Sequence, residues 1–174
     1  MSSSVAASKG EVKRLYLVRH ADAGDPSEWI GPDSERPLSA KGVKQAARLA
    51  AALVAAGTSF GSLRTSPARR CTETCAVIAA ALETTATIDE LLADGPTLSH
   101  VTKLLARRGH DSLLLVGHQP YLGNLVAELT GAEGIPVEKG ALIRIDIAAP
   151  FTPGSGRLVA LLPPATLRAP KGER

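Results

Sequence analysis

Two short apolar runs along the chain each lead, after one further residue, into a histidine. The run 15–18 is followed by His20, and the run 113–116 is followed by His118. Short continuous apolar runs of this kind are typical of buried strands in a parallel sheet. Parallel strands end at one edge of a sheet, and ligands bind in the crevice outside that edge. The pattern therefore predicts two imidazoles that face one crevice.

The rest of the hydrophobic pattern predicts alternating helices and strands. Helices are predicted at 40–56 behind the N-cap residue Ser39, at 67–82 with Pro67 in the first position, at 96–108 and at 120–130. Strands are predicted at 14–18, 62–65, 85–88, 112–116, 141–147 and 157–162. The strand at 141–147 alternates apolar and polar residues, and with the last strand it indicates a hairpin with a long loop.

This order of elements predicts an α/β fold of three layers, an αβα sandwich. The six-stranded sheet is expected to be mostly parallel, with one antiparallel element contributed by the final hairpin. A single domain is expected over 13–164, between a flexible leader at 1–12 and a flexible basic tail at 165–174.

Composition excludes several function classes. Aromatic residues make up only 3% of the chain, too few for a stacking platform on single-stranded nucleic acid, and a net charge of +3 is low for a duplex-binding protein. No apolar run is long enough to cross a bilayer and no signal peptide is recognisable, so we expect a cytoplasmic protein with no membrane and no nucleic-acid partner. Cys71 and Cys75, four residues apart, are interpreted as small helix residues rather than metal ligands.

Arginines near both histidines indicate what the crevice holds. Arginine recognises tetrahedral oxyanions because its planar, permanently charged fork donates parallel hydrogen bonds. Arg19, Arg36 and one member of the pair Arg69 and Arg70 are candidates, because consecutive helix positions point about 100° apart. Nearby guanidinium groups also keep an imidazole neutral and so available for nucleophilic attack. The helix predicted to begin at Pro120 is expected to add free backbone N–H groups.

Four segments resemble one known family when taken together. They read Leu-Val-Arg-His-Ala, Arg-Pro-Leu-Ser-Ala-Lys-Gly, Ser-Pro-Ala-Arg-Arg-Cys-Thr-Glu-Thr and Val-Gly-His-Gln-Pro-Tyr-Leu. In this order they are similar to the histidine phosphatase (phosphoglycerate-mutase-like) superfamily, and more narrowly to its SixA-type phosphohistidine phosphatases. The resemblance extends from about Arg14 to Leu162.

The resemblance implies a role for each site residue. It implies that His20 is the nucleophile, that His118 stabilises the phosphoryl group in transfer, and that no metal and no organic cofactor is needed. It implies that Arg19, Arg36 and Arg70, rather than Arg69, bind phosphate. Relatives with broader activity carry a glutamate general acid in a long segment before the second histidine; here Glu90, then Asp94, are the candidates in a much shorter segment.

The short segment affects the choice of substrate. Expelling an alkoxide without a proton donor is difficult, whereas an imidazole leaving group is protonated near neutral pH. We therefore expect hydrolysis of a P–N bond on a phosphorylated protein such as a histidine-phosphotransfer domain, through a covalent phosphohistidine. A small-molecule phosphomonoesterase acting on a sugar phosphate or nucleotide is the first alternative, and a non-catalytic phosphate-binding module is the second. The oligomeric state stays open.

Overall fold

The computed structural model describes residues 11–167, which form six strands and four helices. In chain order these are β1 (Val12–Arg19), α1 (Ala40–Ala55), β2 (Ser62–Thr65), α2 (Arg69–Ala81), β3 (Ala86–Ile88), α3 (Leu98–Leu105), β4 (Ser112–Gly117), α4 (Tyr121–Thr130), β5 (Leu142–Ala148) and β6 (Arg157–Leu162). Over this part of the chain, no helix is both long enough and apolar enough to span a membrane.

The strands form one sheet in the order β3-β2-β4-β1-β5-β6. Strands β1 to β4 pair in parallel, while β5 is antiparallel to both of its neighbours, β1 and β6. Because β6 reverses direction again, β5 is the one strand of the described sheet that runs against the rest. The predicted fold class is confirmed, including its single antiparallel element.

Helices cover both faces of the sheet, as expected for three layers. Alternate residues of β1 point to opposite sides: Tyr16 and Val18 pack with α1 and α2, whereas Leu15 and Leu17 pack with α3 and α4. Strand β4 is buried along its whole length, which explains its continuous apolar run. The two cores hold the strand ends in place and so fix the positions of the residues that follow them.

The register between β1 and β4 brings the two histidines to the same edge. Arg19 is paired with Gly117, so His20 and His118 each follow the last pair of the ladder. The backbone N–H of His20 donates to the carbonyl of Gly117 at 2.9 Å, which extends the pairing by one bond. Both imidazoles are thus attached to adjacent central strands.

Two helices begin two residues later than predicted. Helix α2 begins at Arg69, not at Pro67, because Ser66 still donates to Val116 at 3.0 Å and continues the sheet pairing. Helix α3 spans only Leu98–Leu105, because the Thr97 hydroxyl caps its first turn. The predicted Ser39 cap of α1 is confirmed: its hydroxyl accepts from the N–H of Gly42.

Both predicted termini of the domain need correction. Val12, assigned above to the leader, lies in β1 and pairs with Ala148. Leu167, assigned to the basic tail, is buried among the residues on the α1 and α2 side of the sheet. Ordered structure therefore extends beyond both ends of the range 13–164. Residues 1–10 of the leader and residues 168–174 of the tail lie outside the described residues.

Candidate active site

A cleft at the carboxyl edge of the parallel strands contains five of the six predicted site residues. It is lined by Arg19, His20, Pro26, Arg36, Arg70, Ala93, His118, Gln119, Pro120, Tyr121 and Lys139. Arg19 ends β1 and His20 follows it, Arg70 lies in the first turn of α2, and His118 follows β4. Strand ends and one helix start thus position most of the polar side chains, which limits their freedom before any ligand binds.

The hydrogen bonds of His20 define its tautomer. Its Nδ1 lies 2.8 Å from the carbonyl oxygen of Ala21, which can only accept, so Nδ1 carries the proton. Its Nε2 therefore keeps a lone pair and accepts from the Nε–H of Arg70 at 3.3 Å. His20 as a whole is only 5% exposed. His20 presents an unprotonated nitrogen beside a guanidinium group, as a nucleophile requires.

The environment of His20 keeps it neutral. The pKa of the imidazole is lowered from 6.5 to about 4, mainly by burial, and the positive charges of Arg70 and Arg19 contribute to the same shift. The hydrogen bond to Ala21 opposes this effect without cancelling it. At neutral pH the ring is therefore neutral in essentially every molecule, and Nε2 carries no proton of its own.

Arg19 has an unused donor in this region. One of its terminal nitrogens donates to the carbonyl of Val137 at 2.7 Å, while its buried Nε has no partner among the described residues. Burial lowers the pKa of Arg19, although a guanidinium stays charged. A buried donor without an acceptor is costly, and Arg19 is also one of the residues that line the cleft.

The other two arginines are held by the loop between β1 and α1. Arg36 is buried and donates to the carbonyl of Ala23 at 2.8 Å and to the carboxylate of Asp33 at 2.9 Å. Arg70 also contacts Asp33. Arg69 instead points outward and pairs with Glu73. The choice of Arg70 over Arg69 as the residue facing the crevice agrees with this arrangement.

His118 is held by two contacts. Its Nε2 lies 2.9 Å from the carbonyl oxygen of Ala93, so Nε2 carries the proton. Its Nδ1 then accepts from the thiol of Cys71, with Sγ at 3.8 Å. Burial raises the pKa of Cys71 to about 12, so the thiol stays protonated. Cys71 was interpreted as a small helix residue, but it also supports a histidine of the cleft; Cys75 fits that interpretation.

The start of α4 differs from the expectation. The N–H of Leu122 donates to the carbonyl of His118, and that of Gly123 donates to the side chain of Gln119 at 2.8 Å. These amides are already paired, so the prediction that α4 supplies free N–H groups is wrong for them. The arginine side chains remain the principal donors to an anion in the cleft.

Neither candidate general acid lines the cleft. Glu90 is exposed in the 3₁₀ turn Glu90–Leu92, and Asp94 faces a neighbouring groove. Among residues 11–167, no carboxylate lines the cleft and no cluster of three potential metal ligands is found. The structure thus does not bring Glu90 to the residues with which the resemblance associates it.

Lys139 lines the cleft and was not identified from the sequence. Its ammonium lies 3.4 Å from a carboxylate oxygen of Asp22. Because β5 is antiparallel, its amino end meets the carboxyl ends of the parallel strands, and Lys139 lies just before it. The predicted antiparallel direction of β5 was the sequence signal that could have placed Lys139 at this edge of the sheet.

Comparisons with known proteins agree with this fold. Residues 15–95 match the model of the histidine phosphatase superfamily (branch 1). An uncharacterized protein of Picosynechococcus sp. is 34% identical over 113 residues, which cover 63% of this chain and 68% of that protein. The chain belongs to the histidine phosphatase superfamily.

Solved structures show the same fold. The protein histidine phosphatase SixA complexed with tungstate matches with a TM-score of 0.77 and 24% identity, covering 89% of this chain and 99% of that one. The alpha-ribazole phosphatase from Shigella flexneri matches with a TM-score of 0.65 and 20% identity, covering 87% and 97%. These similarities show the fold, and the family identifies a phosphatase whose substrate is left open.

Proposed function

We propose that this phosphatase hydrolyses phosphohistidine on a phosphotransfer protein, such as a histidine-phosphotransfer domain, through a covalent intermediate on His20. The observation that carries the proposal is the neutral His20, whose Nε2 lone pair lies beside Arg70 in a cleft lined by three arginines and, among the described residues, by no carboxylate. Similarity in fold to the protein histidine phosphatase SixA supports the same assignment.

The first step transfers the phosphoryl group to the enzyme. The Nε–H of Arg70 turns from His20 Nε2 to a phosphoryl oxygen, and the freed lone pair of Nε2 forms an N–P bond while the P–N bond of the substrate breaks. The electron pair of the broken P–N bond goes to the leaving imidazole nitrogen, which takes a proton from solvent. Arg19, Arg36 and Arg70 bind the phosphoryl oxygens, and the Nε2–H of His118 is a further donor once an oxygen replaces its contact with Ala93.

The second step releases phosphate. A water oxygen attacks phosphorus, the N–P bond breaks, and its electron pair returns to His20 Nε2 while the water gives up a proton to solvent. Because Nδ1 keeps its proton through the bond to Ala21, the phosphorylated ring is cationic and leaves readily. The proton on Nδ1 therefore helps the His20 ring to leave phosphorus in this second step. In the first step the same tautomer leaves Nε2 unprotonated for attack.

The leaving group favours phosphohistidine over an ester. An alkoxide needs a proton donor at the bridging oxygen, and such donors are usually carboxylic acids. Glu90 lies outside the cleft, and no other carboxylate lines it within residues 11–167. An imidazole nitrogen is basic enough to be protonated by water near neutral pH. Reaction at P–N therefore fits the residues present better than reaction at P–O.

A small-molecule phosphomonoesterase is the second candidate. Similarity in fold to the alpha-ribazole phosphatase supports it, since that protein is named for a small-molecule activity. The two candidates differ in the bond cleaved, so rates on a phosphorylated histidine-phosphotransfer domain and on an alkyl phosphate separate them. We expect the phosphoprotein to be dephosphorylated at least tenfold faster; equal rates would contradict the proposal.

Trapping the intermediate tests the nucleophile. A ³²P-labelled phosphodonor mixed with the enzyme and quenched in alkali should leave label on the wild type, because phosphohistidine survives base and is lost in acid. His20→Ala should abolish both label and turnover. His110→Ala is the matched control, because His110 contacts the carbonyl of Leu104 and does not line the cleft. Label retained on His20→Ala would contradict the assignment.

A further inference from the structure

Asp33 contacts two of the three arginines of the cleft. It begins the 3₁₀ turn Asp33–Glu35 in the loop between β1 and α1. One carboxylate oxygen lies 2.9 Å from Nε of Arg36, and the other lies 2.9 Å from a terminal nitrogen of Arg70. The backbone carbonyl of Asp33 accepts a further hydrogen bond from Arg70 at 2.6 Å. One residue thus holds two side chains that come from different parts of the chain.

Asp33 itself lies outside the cleft. Arg36 and Arg70 line it, but Asp33 does not. Both terminal nitrogens of Arg70 contact Asp33, while its Nε is directed to His20 Nε2. The aspartate therefore contacts both arginines without lining the cleft itself.

We propose that Asp33 is a positioning residue that orients Arg36 and Arg70 together to receive the phosphoryl group beside His20. This inference rests on the proposed function, because it assumes that the cleft binds a tetrahedral oxyanion. Guanidinium groups that Asp33 already holds in the binding orientation lose less conformational entropy when the anion binds.

The charge of Asp33 fits this role. The hydrogen bond from Arg36 lowers the pKa of the Asp33 carboxyl, so it is ionised at neutral pH. It also offsets the repulsion between two buried cations. Its side chain is 57% exposed, and water screens such a pair. The contribution of Asp33 therefore lies more in geometry than in attraction, and its loss should weaken anion binding more than it destabilises the fold.

Tungstate, a tetrahedral dianion, gives a test that needs no turnover. Its dissociation constant is measured by calorimetry for the wild type, Asp33→Asn and Glu35→Gln. Glu35 is the matched control: it lies in the same turn, is exposed, and loses the same charge. We expect Asp33→Asn to weaken binding roughly tenfold and Glu35→Gln to change it less than twofold.

The sign of the effect distinguishes positioning from competition. Tighter binding by Asp33→Asn would mean that the aspartate competes with the anion, and unchanged binding would mean that it does nothing; either result overturns the inference while leaving the proposed function intact. A wild type that binds no tungstate would overturn both. Thermal unfolding of each variant checks that folded proteins are compared.

Two further variants test whether Asp33 acts on anion binding through the arginines. Because Asp33 is proposed to act through Arg36 and Arg70, Asp33→Asn should cost less in an Arg36→Ala background than in the wild type. Asp33→Glu retains the carboxylate and should bind tungstate within about threefold of the wild type. An undiminished loss in the Arg36→Ala background, or Asp33→Glu binding as weakly as Asp33→Asn, would overturn the inference. In turnover, Asp33→Asn should raise KM more than it lowers kcat.

Discussion

The Nε–H of Arg70 donates to Nε2 of His20 at 3.3 Å, although the two residues are fifty positions apart in the chain. This contact joins the start of α2 to the end of β1. It directs a cation to the nitrogen proposed as nucleophile and excludes a proton from it. An incoming phosphoryl group would meet the lone pair and a phosphate-binding donor at one place.

Arg70 and its neighbour Arg69 offer a matched pair of substitutions. Arg70→Ala removes a donor beside His20, so we expect kcat/KM to fall by roughly 10²–10³, the usual cost of losing an oxyanion donor. Arg69→Ala removes the same charge from the exposed face of α2 and should change kcat/KM less than threefold. Steady-state kinetics on phosphohistidine check both values. Similar losses in the two variants would contradict the role of Arg70.

The low pKa of His20 predicts how stability depends on pH. The folded protein keeps the ring neutral down to about pH 4, whereas the unfolded chain binds the proton at its ordinary pKa of 6.5. The unfolded state therefore binds more protons in this range, and stability falls as the pH drops from 6.5 to 4. The complete loss is on the order of 3 kcal/mol.

Denaturant unfolding at a series of pH values measures this effect. His20→Asn cannot titrate, so its free energy of unfolding should fall less than that of the wild type between pH 6.5 and 4. His110→Asn removes a histidine that does not line the cleft and should retain the steeper wild-type dependence. Parallel curves for the wild type and His20→Asn would show that His20 is not held neutral.

The strand ends were predictable because each sequence signal was local. The apolar runs before His20 and His118 located β1 and β4, and the parallel pairing placed both histidines at one edge. Ser39 marked the start of α1 for the same reason, since its cap lies within one turn. The helix period also indicated that only one of Arg69 and Arg70 faces the cleft.

The features that escaped prediction depend on contacts between distant segments. The support of His118 by Cys71 crosses from α2 to the residue after β4. The contacts of Asp33 cross from a loop to α2, and the three-residue turn that carries it has no periodic pattern. Glu90 was selected for its position between two motifs, which says nothing about the direction of an exposed turn. Sequence spacing alone does not report such geometry.

His118 and Cys71 give a graded prediction. His118→Ala should lower kcat by roughly 10²–10³, because it removes a donor from the cleft. Cys71→Ala leaves the imidazole in place but removes the contact on Nδ1, so kcat should fall by about three- to tenfold. Cys75→Ala is the control, because it is buried on the same helix and should destabilise the fold similarly. Equal kcat values for the two cysteine variants would mean that the contact from Cys71 does not support the action of His118.

Lys139 should act through its charge rather than through a fixed contact. It lines the cleft, but its side chain is about one-third exposed and its ammonium lies as far as 3.4 Å from Asp22, so it attracts anions without holding them in one geometry. Lys139→Met should therefore raise KM about three- to tenfold and leave kcat within twofold. Because water and salt screen such a charge, the difference from the wild type should shrink as ionic strength rises. Lys103→Met removes an equal charge from an exposed position on α3 and should leave KM unchanged. A fall in kcat for Lys139→Met, with KM unaltered, would instead mean that the ammonium contacts the phosphoryl group during its transfer.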